Sequence, residues 1–180
     1  YKRQAHDSGI NYYDTAPSYE RSELVVGKAF SALPEKPIIA TKVMLPPPAE
    51  IHPSGLQQII EDSLTASMRA LGLEQIVVMQ VHNLLAGHLV DELVTCMERL
   101  TGRGLVRFWG APVYDEVDAA QIVASGRCNT LQVPFSILDQ RMSTAVFPAG
   151  MEACMGLVCL LYTSDADDDR TSVDIGGRRI

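Results

Sequence analysis

Three apolar runs in the amino-terminal half of the chain each end in a group that can carry charge. "GINYYD" (residues 9–14) ends in Asp14, "PIIATK" (37–42) in Lys42 and "IVVMQVH" (76–82) in His82. A phenol, Tyr19, waits five residues beyond Asp14. Carboxylate, ammonium, imidazole and phenol are side chains of acid–base chemistry. A strand end reaching solvent would explain any one of the three. Three in succession point to a site, because adjacent parallel strands lie about 4.8 Å apart and would bring the groups to one spot. An isolated charge beside a dry interior is costly, whereas an Asp–Lys pair is tolerated.

The elements that would hold these residues are legible in the spacing. The apolar runs continue with "LVRFWGAPV", "TLQVPFSI" and "GLVCLL". They are apolar on both faces, as in a parallel sheet covered by helices. Between them, Leu56, Ile60, Leu64, Met68 and Leu71 recur at helical spacing, as do Leu89, Leu93, Met97 and Leu100. Gly72 and Gly102 stand where helix ends are expected. The alternation predicts an α/β fold, either an open doubly wound sheet or part of a (β/α)8 barrel. No G-x-G-x-x-G follows any strand, which counts against a dinucleotide-binding Rossmann domain.

Composition narrows the classes further. The 180 residues suffice for one domain with a core, and a net charge of −7 without a basic patch makes nucleic acid an unexpected partner. No apolar run reaches the roughly 18 residues of a membrane helix. The four cysteines, Cys96, Cys128, Cys154 and Cys159, form no C-x-x-C pair and read as buried free thiols of a reducing cytoplasm, with no metal site. His6, His52 and His88 read as solvated, Trp109 as core, the proline run at 46–48 as a stiff connector and "GRG" at 102–104 as a helix stop.

"GINYYDTAPSYERSELVVGKAF", "IIATKV", "VVMQVHN" and "LQVPFSILDQR" resemble the aldo-keto reductases, in the right order and over residues 1–158. The resemblance implies a (β/α)8 barrel that reduces the carbonyl of a small aldehyde or ketone with NADPH. It implies a catalytic tetrad of Asp14, Tyr19, Lys42 and His82. Tyr19 would give the proton. A phenol, with an ordinary pKa of about 10, is a reluctant acid near pH 7, and a neighbouring ammonium favours its ionised form. Lys42 would supply that ammonium, Asp14 would orient it, and His82 would hydrogen-bond the carbonyl oxygen.

For the cofactor, the family pattern falls on Asp14, on Gln132 as a nicotinamide contact, and on Pro112 and Val113, which stand where the family has a Ser-Asn pair. Neither Pro112 nor Val113 carries a side-chain donor. Glu20 replaces the family glycine after the tyrosine. The segment that grips the 2′-phosphate has no counterpart, so NADP over NAD rests on the resemblance alone. Two other readings use the same residues: a nicotinamide-binding regulatory subunit of this fold, and a Schiff-base aldolase with Lys42 as nucleophile.

Both ends read as interruptions. Residues 1–158 are expected to be a partial barrel lacking its first and last strands. Residues 159–180 are acidic, without helical or strand periodicity, and "CLLYTSDA" resembles a translated sequencing adapter. A non-native or disordered tail is expected there.

Overall fold

The structure, a computed structural model, describes residues 2–46, 53–82, 84 and 91–160. Strands and helices alternate in the order α1 (Lys2–Asp7), β1 (Tyr12–Asp14), α2 (Ser22–Phe30), β2 (Ile38–Val43), α3 (Pro53–Leu71), β3 (Ile76–Val81), α4 (Asp91–Gly102), β4 (Val106–Pro112), α5 (Glu116–Ser125), β5 (Thr130–Pro134), α6 (Val146–Glu152) and β6 (Gly156–Leu160). All six strands are parallel and each pairs with the next in sequence. That order has no reversal point, which a doubly wound sheet requires. The sheet is instead a curled part of a (β/α)8 barrel.

The helices form where the apolar stripes lie. In α3, Leu56, Ile60 and Leu64 are buried on one face. Gly72 stops the helix at φ +66°, and the Leu73 N–H reaches back to the Met68 carbonyl at 3.0 Å. In α4, Asp91 and Glu92 face the positive helix start, and Leu93, Cys96, Met97 and Leu100 are buried. Here the stop falls later than the spacing predicts. Gly102 is still helical, and Gly104 takes the left-handed turn at φ +72° while the Leu105 N–H bonds to the Leu100 carbonyl. Asp115 caps α5 by accepting from the Val117 and Asp118 N–H groups.

The core fills the layer between sheet and helices. Ile39, Met79, Trp109, Leu131 and Val133 contribute from the strands, and Phe30, Ile60, Leu93, Met97 and Ile122 from the helices. Each fully buried side chain of this size stabilises the fold by about 1.5–3 kcal/mol. Alternation along the strands then turns Asp14, Lys42, Gln80 and Gln132 to the other face, the barrel interior. Two glycines permit close approaches. A Cβ on Gly27 would lie 2.6 Å from the Ala70 carbonyl oxygen, where α2 meets α3. A Cβ on Gly110 would collide with the Thr130 backbone of the next strand.

Cys159 and Leu160, which the composition shift assigns to the tail, pair with Val133 and Pro134 and complete β6. The rest of that tail, residues 161–180, lies outside the described residues, as do His52 and His88. Cys96 and Cys128 are buried free thiols, but Cys154 and Cys159 are exposed. His6 is half-buried against Phe30, edge to face at 5.6 Å. Among the described residues, no helix is long and apolar enough to cross a membrane.

Candidate active site

β1 delivers Asp14 as its last residue, β2 delivers Lys42 one residue before its end, and His82 directly follows β3. The backbone ladder continues past the strands. The Thr15 N–H donates to the Ala40 carbonyl at 2.9 Å, and the His82 N–H to the Val43 carbonyl at 2.8 Å. The three side chains therefore leave the same end of neighbouring strands.

Lys42 is the centre of the cluster. Its Nζ donates to Asp14 Oδ2 at 2.6 Å, to the Thr15 carbonyl at 3.1 Å and to the Tyr19 hydroxyl at 3.4 Å. An ammonium has three donors, and each finds an acceptor. The Lys42 side chain is 2% exposed and that of Asp14 24%, so the charge is compensated where water cannot do it. Tyr19 reaches Lys42 from a short turn, in which its N–H donates to the Ala16 carbonyl and its own carbonyl accepts from the Ser22 N–H. Glu20 in that turn adopts φ +49°, a left-handed conformation that glycine adopts without strain.

Tyr19 also meets His82. Their rings stand edge to face, centroids 5.7 Å apart at 88°. The Ser18 Oγ lies 3.4 Å from His82 Nδ1. Burial holds the His82 pKa below the usual 6.5, Lys42 pushes the same way, and Asp14 opposes them. The lowered pKa favours the neutral imidazole. It can donate a hydrogen bond from one nitrogen while the other accepts. The phenol side of the cluster is open, with Tyr19 45% exposed. Asp14 and Tyr19, five residues apart, thus lie in one place with Lys42 and His82, which come from distant parts of the sequence.

The residues assigned to a nicotinamide divide. Pro112 and Gln132 are register partners on adjacent strands, and Gln132 is 4% exposed. Its amide suits the carboxamide of a nicotinamide. Val113 packs instead in the apolar layer between sheet and helices, 3% exposed, with its N–H on the Gln132 carbonyl. The donor set therefore fits the group at Gln132 and supplies no side-chain donor at the end of β4.

Several groups beside the cluster escape a reading by motif. Gln80 is the register partner of Lys42, is 1% exposed, and its Oε1 has no partner among the described residues. Its signal is a polar residue two positions before His82, on the same strand face. Tyr12 shares a face with Asp14, and burial together with that carboxylate pushes its pKa up to about 12. The Thr15 carbonyl, a backbone atom, leaves no trace in residue type.

The model of the Aldo/keto reductase family matches residues 2–162. The NADH-specific methylglyoxal reductase of Escherichia coli (strain K12) is 26% identical over 89% of this chain and 54% of its own length. The D-threo-aldose 1-dehydrogenase of a Pseudomonas species is 29% identical over 86% and 56%. Among solved structures, the holo form of an aldo-keto reductase from Bacillus halodurans superposes with a TM-score of 0.73 at 27% identity, covering 88% of this chain and 53% of that one. The chain spans about half the length of the curated relatives it matches. With the strand order and the family match in agreement, this chain belongs to the aldo/keto reductase family.

Proposed function

We propose that the protein to which this chain belongs reduces the carbonyl of a small aldehyde or ketone to an alcohol, with Tyr19 as the general acid. The observation that carries this reading is the three-way contact of Lys42 with Asp14, the Thr15 carbonyl and the Tyr19 hydroxyl. When bound, a nicotinamide dinucleotide supplies the hydride for the carbonyl carbon. The remaining work falls to side chains. The Tyr19 O–H gives its proton to the carbonyl oxygen, completing the alcohol. Lys42 stabilises the charge left on the phenol oxygen. Asp14 holds Lys42 in place. His82, neutral, donates to the carbonyl oxygen and polarises it. Gln132 would orient the carboxamide.

The same contact argues against the aldolase reading. A Schiff-base amine must reach a carbonyl carbon, and Lys42 Nζ, on a side chain 2% exposed, is already enclosed by the Asp14 carboxylate, the Thr15 carbonyl and the Tyr19 hydroxyl.

The test is steady-state reduction of methylglyoxal and simple aldehydes by the full-length gene product. Tyr19→Phe should abolish nearly all turnover and leave cofactor binding largely unchanged. Wild-type turnover in Tyr19→Phe would defeat the acid assignment. Cofactor binding without turnover in the wild type would favour the regulatory reading. Titration with both dinucleotides decides between NADPH, which the family resemblance suggests, and NADH, which the E. coli relative's name specifies.

A further inference from the structure

Glu23 is a buried carboxylate that the chemistry above does not use. It sits in the first turn of α2, 7% exposed, and accepts a hydrogen bond from Thr41 Oγ1 at 2.5 Å. Thr41 is fully buried and directly precedes Lys42. One residue before Glu23, Ser22 Oγ accepts from Thr15 Oγ1 at 2.9 Å, and Thr15 is also fully buried. The two bonds lie at the base of one loop. Thr15 and Ser22 are its ends, and Tyr19 is on it. Thr15 is further tied by its N–H to Ala40 and by its carbonyl to Lys42.

A surface helix gains little from burying a carboxylate, and an unpaired one is costly. This one is placed where it joins the start of α2 to the strand that carries Lys42. The loop between has one left-handed residue, Glu20, and an exposed phenol. Such a loop holds its geometry only if its ends are held.

We propose that Glu23, through Thr41, is a positioning residue: with the Thr15–Ser22 pair it pins the base of the Tyr19 loop and so holds the phenol against Lys42. The inference rests on the reading of Tyr19 as the acid. It touches neither substrate nor cofactor, and its effect is on the geometry of the proton donor.

The experiment uses the full-length gene product with Thr41→Val, Thr41→Ser and Glu23→Ala. Amide hydrogen exchange is followed at Tyr19 and Ser22, with the amides of β3 and β4 as the internal reference. Thr41→Val and Glu23→Ala should speed exchange at Tyr19 and Ser22 by about tenfold relative to that reference. Thr41→Ser, which keeps the hydroxyl, should restore it. In parallel, kcat should fall by about tenfold with KM little changed, as expected when a donor is misplaced after substrate has bound. Exchange that rises equally everywhere would mean a loss of general stability and would overturn the pin. Loosened exchange with unchanged kcat would overturn the positioning role. A wild type without carbonyl reduction would defeat the reading of function, and the exchange ratio would still decide the pin.

Discussion

Lys42 Nζ lies 2.6 Å from Asp14 Oδ2, across 28 residues of sequence and one strand boundary. The pair is asymmetric in exposure, and the ammonium is the deeper partner. Asp14→Asn keeps the shape and removes the charge. It should destabilise the fold by about 2–3 kcal/mol, at or below the lower end of the about 3–5 kcal/mol for breaking a buried pair, because Asp14 keeps some contact with water. Urea unfolding of both proteins would measure it. A difference under about 0.5 kcal/mol would place the pair in the class of exposed ion pairs.

His82 makes stability depend on pH. Its folded-state pKa lies below the usual 6.5. Between the two values the unfolded chain binds more protons than the folded one, so stability rises with pH there. This contribution is fully present above pH 6.5 and is lost as pH falls through the lowered pKa. His82→Gln should therefore show a shallower loss of stability on acidification below pH 6.5. Unfolding series at several pH values would reveal equal slopes if His82 is not the group responsible.

Gly27→Ala sets two effects against each other. Alanine favours a helix interior by about 1 kcal/mol over glycine. The new Cβ would press on the Ala70 and Leu71 carbonyl oxygens, at 2.6 and 2.8 Å, which are backbone and cannot rotate away. Overpacking of this kind costs about 1–3 kcal/mol. Net destabilisation is expected, and a lower melting temperature would show it.

At the end of β4, the family's Ser-Asn pair cannot simply be restored. Val113 belongs to the apolar layer, so Val113→Asn would bury an amide there at a cost of about 1–3 kcal/mol. Pro112→Ser alone is the better test. It adds a hydroxyl donor beside Gln132 and should tighten nicotinamide binding by about 0.5–1.5 kcal/mol. A fluorescence titration giving unchanged affinity would mean that the carboxamide is held elsewhere.

What was legible in the sequence was whatever repeats or ends. Strand runs such as "IIATKV" and "IVVMQV" are mostly apolar without polar alternation, and β2 and β3 fall on them. Asp14, Lys42 and His82 could be brought together from sequence because strand ends in a parallel sheet share one side. The rest depends on facing direction and local backbone. Val113 follows Pro112 by one residue, and that single step turns its side chain to the opposite layer. Gly102 and Gly104 are equally plausible stops, and only the hydrogen bond of Leu105 separates them. Glu23 looks like any solvated helix glutamate until Thr41 is seen beneath it.

The consecutive strand order has a consequence for how the chain acquires its shape. Register partners are separated by 20 residues at the nearest, Gly110 to Thr130, and by 38 at the farthest, Ala40 to Val78. Among the described residues, no strand pairs with one at the far end of the chain. Loop-closure entropy is met in similar small instalments, and contact order stays moderate despite the all-parallel sheet. A chain emerging from the ribosome can therefore add each βα unit to the one before it, and Lys42 can meet Asp14 before the strand carrying His82 has been made.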